Sequence, residues 1–326
     1  MKAVHCIEPR RVREAYLLAC ELDVASIKPG NVSAVAPGHG MRADHFHRSA
    51  MASADAVSDL APGLGPRIQR AVAATHAAVR MNTNLGIVLL CAPLAEAALR
   101  MTPGWQLRSE VREVLRAADV DDAEQMFAAI RIATPGGLGD AAEHDVMHPA
   151  RVSVRDAMAA AAERDRIAAL YTSDFAELFD DALPHLSAAR VAVGSTHAAV
   201  TDLYLHLLSH YPDSHVQRKF GADAAEALRE RAARVYRAWR EAAVDADHDH
   251  GSDGASALLM DFDECLKSAG INPGTTADMT VATLFLERLQ HAAALNPGVP
   301  RRITWRQLRL ASSGAPLIST LLVGES

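Results

Sequence analysis

Apolar residues recur at helical spacing along almost the whole chain. Val12, Tyr16 and Ala19 form one such stripe, and Ile167 and Leu170 begin another. Residues three or four apart lie on one face of a helix, whereas a half-buried strand needs strict alternation of apolar and polar residues. No convincing alternating run of β-branched residues occurs, so the pattern predicts an all-α fold with minimal β-structure.

Hydrophobic residues make up 49% of the chain, enough to bury a sizeable core. No internal repeat and no domain-separating linker stands out, so we expect one domain across all 326 residues, built as a multi-helix bundle. Two connections are long: we expect 135–152 to be an ordered loop, and 245–254, with His248 and His250, to be a solvated, mobile loop. The predicted helices lie near 10–26, 44–60, 65–80, 85–100, 106–117, 122–133, 153–164, 166–181, 188–210, 222–245, 255–269, 277–293 and 303–312.

Bulk properties exclude several classes of protein. The formal net charge of −7 and the isoelectric point of about 6.1 argue against a nucleic-acid partner, because a nucleic-acid-binding face needs excess positive charge. The longest apolar segment, 85–99, is broken by Pro93 and carries Glu96, so no segment suits a bilayer. The chain start lacks the apolar stretch of a secretion signal, and the four cysteines are isolated. We therefore expect a cytoplasmic protein with reduced thiols and no membrane partner.

Six short polar motifs interrupt the helical pattern where its periodicity breaks. Each combines Gly or Pro with polar residue types that fix turns and place side chains at helix ends. A helical bundle does not need such motifs to fold. Several of them meeting at one end of the bundle would form a polar pocket for phosphate and a metal ion, which indicates an enzyme. The motifs are KPGNV (28–32), GHGMRADHF (38–46), NTNLG (82–86), PGGLG (135–139), PDSHVQRKFG (212–221) and NPGTTADM (272–279).

The first two motifs contain more than a helix end requires. Pro29 and Gly30 explain the end of the first helix, but they do not explain Asn31 or Lys28, a point charge suited to phosphate. Downstream, Asp44 fits a plain N-cap when it is taken alone. The functional interpretation rests on the His and Asp residues gathered beside Lys28.

Two further motifs have a structural and a functional interpretation. Asn82 or Asn84 can cap the helix that follows, and amides at a helix N-terminus can also bind an anion or sugar hydroxyls. PGGLG lacks the GxxxxGK[ST] pattern and follows no strand, which disfavours a P-loop.

The last two motifs contain the candidate metal ligands. Asp213, His215, Arg218 and Lys219 lie within seven residues. Carboxylates suit Mg²⁺, and Arg and Lys neutralise polyphosphates, although a charged turn between helices is the alternative. Asp278 fits either a partner of the helix dipole or a metal ligand.

In their order and spacing the six motifs resemble those of the triphosphoribosyl-dephospho-CoA synthase family, over about residues 21–289. The resemblance implies an all-helical pentosyltransferase that moves the 5-triphosphoribosyl group of ATP to the 2′-hydroxyl of 3′-dephospho-CoA and releases adenine. It implies Mg²⁺ on the triphosphate and small-molecule partners, and it leaves a homodimer open.

The same resemblance implies roles for individual residues. His39, Asp44 and His215 would carry acid–base chemistry. The residues that would bind ATP are Lys28, Asn31, Asn82, Asn84, Arg218 and Lys219, and those that would bind the metal are Asp44, Asp213 and Asp278.

Two motifs depart from the usual family pattern. GTTAD stands where GGSAD is common, and Met41 precedes Asp44 where the family more often has Asp before Met. The DSHVQRK form at 213–219 and the NTNLG form suggest a divergent branch linked to methanopterin-type one-carbon cofactor biosynthesis. A ribosyl-phosphate transferase or ligase step in that biosynthesis is therefore one alternative function. A metal-dependent hydrolase of an ADP-ribosyl-type bond is a second, and a non-catalytic helical scaffold is a third.

Overall fold

Helices make up nearly all the regular structure of this protein. The computed structural model describes residues 7–60, 63–102, 106–136, 143–244 and 251–294. Within those ranges there is no strand, and one isolated antiparallel bridge joins Gly38 to Met41. The prediction of an all-α fold is confirmed. No helix in the described ranges is long and apolar enough to cross a membrane.

Fourteen α-helices follow one another in the part of the chain that the structure describes. They are α1 Pro9–Ala25, α2 Ala43–Ser58, α3 Leu64–Val79, α4 Leu85–Arg100, α5 Leu107–Ala117, α6 Val120–Ala133, α7 Val154–Ala159, α8 Arg166–Thr172, α9 Leu183–Ala192, α10 Thr196–His210, α11 Ser214–Phe220, α12 Ala222–Val244, α13 Gly251–Ser268 and α14 Gly274–Ala294. A π-helical turn, Leu178–Ala182, leads directly into α9.

The main core is built around α4. Every residue of this helix is buried except Gly86 and Arg100. A helix that is buried on all faces must be surrounded by other elements, and α1, α2, α3, α5 and α14 pack against it. The motif NTNLG leads into the first turn of α4, so the packing of α4 fixes the position of that motif.

A second apolar cluster lies where α12 packs against both α10 and α13. Tyr204 of α10, Trp239 of α12 and Phe262 of α13 belong to it. Leu203, which precedes Tyr204 in α10, belongs to the main core, so α10 connects the two clusters. The prediction of one domain stays a prediction.

The prediction of one continuous helix over 188–210 is wrong, because the structure divides this segment between α9 and α10. Gly194 adopts a positive φ of 59°, a conformation that glycine tolerates and that ends a helix. Ser195 then caps α10, and its hydroxyl accepts a hydrogen bond from the Ala198 N–H at 3.1 Å.

The predicted helix 166–181 is also interrupted. Helix α8 ends at Thr172, because Asp174 and Phe175 have positive φ values of 53° and 60°. The chain then resumes as the π-helical turn. An apolar stripe does not indicate such a break, since Tyr171 before it and Leu178 after it are both buried.

Some sequence expectations fall outside the described residues. These are residues 245–250 with His248 and His250, the predicted helix 303–312, and residues 137–139 of the PGGLG motif. The rest of the expected mobile loop, 251–254, is the first turn of α13. Cys20, Cys91 and Cys265 are free thiols.

Candidate active site

The polar motifs converge on a cavity of about 270 Å³. Its apolar lining comes mostly from α4, α6, α7 and α8, and includes Leu89, Phe127 and Met158. Its polar lining comes from the motif loops and the helix ends beside them. Of the residues predicted from the sequence, the described lining contains Asn31, Asn82, Asn84, His215, Arg218 and Asp278.

Two motifs distant in sequence meet where α11 packs against α14. The hydroxyls of Ser214 and Thr275 are hydrogen-bonded at 3.0 Å. A Cβ added at Gly274 would overlap the imidazole of His215, so glycine is what allows the start of α14 to approach this ring. The packing holds His215 against the wall of the cavity.

Asp213 fastens these two helices together. One carboxylate oxygen accepts a hydrogen bond from the Val216 N–H at 3.0 Å and so caps α11. The other accepts hydrogen bonds from the Thr276 N–H and from the Thr276 hydroxyl, both at 2.8 Å. Asp213 is 0% exposed and lies outside the described lining of the cavity. Its contacts show that it caps α11 and links α11 to α14, and none of them supports the metal role predicted for it.

Asp278 has the opposite character. It lies on the cavity lining, and no residue in the described ranges donates a hydrogen bond to its carboxylate. Gly86 permits this position, because a Cβ on that residue would overlap the carboxylate. Burial raises the pKa of Asp278 well above its ordinary value, repulsion from Asp213 and Asp23 raises it further, and Arg218 opposes the shift.

The KPGNV turn points its lysine inward. The Lys28 ammonium donates to the backbone oxygens of Asp23 at 2.6 Å and Val32 at 3.0 Å, and lies 3.1 Å from Oδ2 of Asp23. Lys28 is 1% exposed and lies outside the described lining. Burial lowers the pKa of Lys28 and raises that of Asp23, while their ion pair opposes both shifts. The position of Lys28 therefore does not support its predicted phosphate contact, because Asp23 lies on the cavity lining and Lys28 does not.

Asn31 and Asn272 join the first motif to the last. The Asn31 side-chain amide donates to Oδ1 of Asn272 at 2.8 Å, and both residues are buried on the cavity lining. Next to them, the Gly30 N–H donates to Asp263 of α13 at 2.8 Å. These contacts fix the turn after α1 against the start of α14.

Helix α11 brings positive charge to the cavity. Arg218 lies on the lining and forms an ion pair with Asp165. Lys219 is exposed, and its Cε would lie 3.3 Å from a Cβ added at Gly136, a residue of the lining. Burial, together with Lys219 and Arg218, lowers the pKa of His215 to about 4. His215 is therefore uncharged at neutral pH.

The NTNLG motif places amides at the start of α4. Oδ1 of Asn82 accepts from the Leu85 N–H at 3.2 Å, in the manner of a cap. The Asn84 amide donates to the Ser53 hydroxyl at 3.3 Å, and Asn84 is buried on the lining. Asn82 is exposed at the rim, so the cap and ligand roles are compatible.

The two remaining predicted residues lie outside the described lining. The imidazole Nε2 of His39 is 2.9 Å from the Gly30 carbonyl oxygen. Asp44 is in the first turn of α2, its side chain is 63% exposed, and its ion-pair partner is Arg48 at 3.9 Å. Of the three predicted catalytic residues, only His215 lines the cavity.

Several lining residues escaped the sequence analysis. Asp23 lies seven residues after Tyr16 and four after Ala19, so it shares their buried face. A carboxylate on an apolar stripe indicates a buried acidic residue, and this pattern could have identified Asp23 from the sequence. Arg164 and Asp165 also line the cavity, and neither belongs to one of the six motifs. Asp165 caps α8, with Oδ1 accepting from the Ile167 N–H at 2.9 Å.

A metal site supplied by protein groups alone is not seen in the described ranges. They contain no group of three or more His, Cys, Asp or Glu side chains arranged to hold a metal. A site with two carboxylates completed by a substrate is compatible with this finding, because Mg²⁺ usually keeps waters and binds one or two carboxylates plus phosphates.

Comparisons with known proteins agree on one family. The family model for CitG, ATP:dephospho-CoA triphosphoribosyl transferase, matches residues 9–297. Among solved structures, the chain is similar to a crystal structure of a candidate triphosphoribosyl-dephospho-CoA synthase from Archaeoglobus fulgidus, with 25% identity and a TM-score of 0.53. That similarity covers 73% of this chain and 95% of the other. No curated protein matches the chain.

Proposed function

Because the chain belongs to the ATP:dephospho-CoA triphosphoribosyl transferase family, we propose that it moves the 5-triphosphoribosyl group of ATP to the 2′-hydroxyl of 3′-dephospho-CoA. Adenine is the leaving group of this reaction. Membership of the family makes the chain a transferase, and it confirms the resemblance inferred from the six motifs.

The observation that carries the proposal is the convergence of distant motifs on one cavity. Asn31, Asn84, His215 and Asp278 come from four motifs spread over most of the chain, and all four line it. A cavity with both apolar and charged linings suits a nucleotide, whose base is flat and weakly polar and whose ribose and phosphates are strongly polar. A helical scaffold protein would have no use for this arrangement.

We assign the apolar lining to the purine and the polar lining to the triphosphoribosyl group. Leu89, Phe127 and Met158 offer the base a surface without charge. Arg218 and Lys219 supply positive charge for the phosphates, and charge-assisted hydrogen bonds are the strong ones. Asn82 and Asn84 are placed for the ribose hydroxyls.

The reaction forms a bond between the acceptor oxygen and the anomeric carbon, and breaks the bond between that carbon and adenine. The hydroxyl proton then needs an acceptor, and the departing adenine needs a proton. His215 is neutral at neutral pH, so its imidazole can accept a proton. A triphosphate beside it would raise its pKa from about 4 towards the range in which a general base works at neutral pH.

A magnesium ion bound with the triphosphate would offset its negative charge and polarise its oxygens. The carboxylates of the lining fit such an ion, because one or two carboxylates with substrate phosphates are its usual ligands. Asp44 and Asp213 were predicted as ligands together with Asp278. Only Asp278 is on the lining, so only Asp278 is retained from that set.

The test is an incubation of the purified full-length chain with ATP and Mg²⁺, with and without dephospho-CoA, followed by mass spectrometry. We expect adenine and triphosphoribosyl-dephospho-CoA in equal amounts, and only when the acceptor is present. Adenine formed equally well with water alone would indicate a hydrolase. No adenine in either mixture would refute ATP as the donor.

The matched control is Arg218→Gln, assayed beside the wild type. It removes a charge from the proposed phosphate contact, so adenine release at limiting ATP should fall at least tenfold. Unchanged release in this variant would show that the adenine comes from a contaminating enzyme or that Arg218 does not contact the donor.

A further inference from the structure

Asp23 has a carboxylate oxygen without a partner. The residue is 3% exposed and lies on the cavity lining. Its Oδ2 is held by Lys28, but Oδ1 is buried and accepts no hydrogen bond from any residue in the described ranges. A buried acceptor left unsatisfied costs about 1–3 kcal/mol, and more when it is charged. The fold therefore leaves a strong acceptor unsatisfied on a residue of the cavity lining.

Asp278 presents a second carboxylate to the same cavity. No residue in the described ranges donates a hydrogen bond to it, and its electrostatic neighbours include Asp23, Asp213 and Asp165. Gly86 leaves room for it at the start of α4. Two carboxylates that repel one another in a partly buried cavity are stabilised by a positive charge between them or by a proton on one of them.

Two of the positive groups nearby are already engaged, while Arg164 on the lining has no carboxylate partner among the described residues. The Lys28 ammonium donates to the backbone oxygens of Asp23 and Val32 and forms an ion pair with Oδ2 of Asp23. Arg218 is paired with Asp165. A bound water could satisfy one lone pair of Asp23, but it would leave the charge of the Asp278 carboxylate uncompensated.

The chemistry of the surrounding groups selects the class of ion. The amides of Asn31 and Asn84 lie on the same lining, and carboxylate and amide oxygens are hard ligands. Since the described chain offers no group of three His, Cys, Asp or Glu ligands, the ion must keep waters or substrate oxygens. Mg²⁺ tolerates that arrangement, whereas structural zinc sites are closed by protein ligands.

We propose that Oδ1 of Asp23 and the carboxylate of Asp278 bind one divalent cation of the Mg²⁺ class at the wall of the cavity. Lys28 is the positioning residue of this site, because it holds the other oxygen of Asp23. The proposal rests on the proposed function only for the phosphates that complete the coordination. The pair of carboxylates does not depend on which acceptor the enzyme uses.

The experiment titrates the full-length protein with Mn²⁺ alone and then with Mn²⁺ and ATP, and follows free Mn²⁺ by electron paramagnetic resonance. We expect one bound ion, with tighter binding when ATP is present. Asp278→Asn should weaken Mn²⁺ binding at least tenfold and should fold normally, because no hydrogen bond to a described residue is lost. Asp44→Asn removes an exposed carboxylate and should bind Mn²⁺ as the wild type does.

Asp23→Asn tests the other ligand, and it should weaken Mn²⁺ binding as much as Asp278→Asn. Because this change leaves Lys28 buried without its partner, the double variant Asp23→Asn/Lys28→Gln, which removes both charges, is measured beside it. Wild-type Mn²⁺ affinity in any folded variant of Asp23 or Asp278 would overturn the proposal. So would a loss in Asp44→Asn as large as the loss in Asp278→Asn.

Failure of the cation site and failure of the proposed function give different results. Adenine release that persists in the presence of EDTA would overturn the cation site and leave the transfer reaction standing. Mn²⁺ binding that depends on both carboxylates, without any adenine release, would support the site and refute the donor.

Discussion

Replacing Asp213 by Ala should destabilise the fold rather than abolish ligand binding directly. The change removes the cap of α11, which is typically worth about 1 kcal/mol. It also leaves the Thr276 N–H without its acceptor at 2.8 Å, and a buried donor of that kind costs about 1–3 kcal/mol. The Thr276 hydroxyl loses the same acceptor.

These losses do not add in full. Burial raises the pKa of Asp213, which means that the fold already carries a cost for this carboxylate, and the cost disappears with it. We therefore expect the free energy of unfolding to fall by about 3–5 kcal/mol. In a chain of this size that corresponds to a drop in melting temperature of roughly 5–15 °C.

The assay is urea denaturation of the wild type, Asp213→Ala and Asp278→Asn, with Mg·ATP binding measured well below each melting temperature. Asp278→Asn serves as the counterpart, since its carboxylate accepts no hydrogen bond from a described residue. It should unfold at the wild-type urea concentration, or slightly above, and should bind Mg·ATP more weakly. The reasoning is refuted if Asp213→Ala unfolds like the wild type and loses Mg·ATP binding, because that result would make Asp213 a ligand.

Three further changes test other parts of the structure. Gly86→Ala should lower stability by about 1–3 kcal/mol and abolish most adenine release, because the added Cβ would overlap the Asp278 carboxylate. Chemical denaturation measures the change in stability, and a gain of about 1 kcal/mol, as expected for Ala in a helix without that overlap, would contradict the prediction. Lys219→Ala should weaken ATP binding roughly ten- to a hundredfold in calorimetric titration and leave adenosine binding unchanged, whereas equal losses for both ligands would contradict a phosphate contact. Burial and a stacked histidine lower the pKa of His206 to about 4 from an ordinary value of 6.5. The unfolded chain thus binds more protons in that interval, stability falls as pH drops through it, and His206→Gln should flatten the decline in melting temperature between pH 7 and pH 5.

The sequence was sufficient for the class of fold because helical periodicity is a local property. Every helix with a long apolar stripe was found, and α4 is buried as its uniform hydrophobicity indicates. The division between α9 and α10 was missed, since one glycine with a positive φ ends a helix without disturbing the apolar pattern on either side. The break after α8 was missed for the same reason.

The candidate site was predictable in composition and less so in orientation. The motifs do gather on one cavity, but a motif does not state which way each side chain points. Lys28 turns inward because two backbone oxygens and Asp23 satisfy its ammonium. The Asp213 carboxylate accepts a hydrogen bond from Thr276, which lies 63 residues away in sequence. Such partners are set by tertiary packing, which spacing along the chain does not encode.

Charge balance links the fold to the chemistry of this cavity. A protein with a net charge of −7 has to bind a triphosphate that is itself strongly negative. Its buried lysine is engaged by Asp23, and Arg218 is engaged by Asp165, so two of the basic groups around the cavity are already neutralised. A triphosphate entering alone would meet the carboxylates of Asp23 and Asp278, and the basic groups left to offset them are Arg164 on the lining and Lys219 beside Gly136. A triphosphate entering with a divalent cation brings additional positive charge. Oδ1 of Asp23, which accepts no hydrogen bond from a described residue, then gains the cation as a partner. The arrangement therefore favours the metal complex of the nucleotide over the bare nucleotide, and it does so through the same carboxylates that would be costly to keep buried for any other purpose.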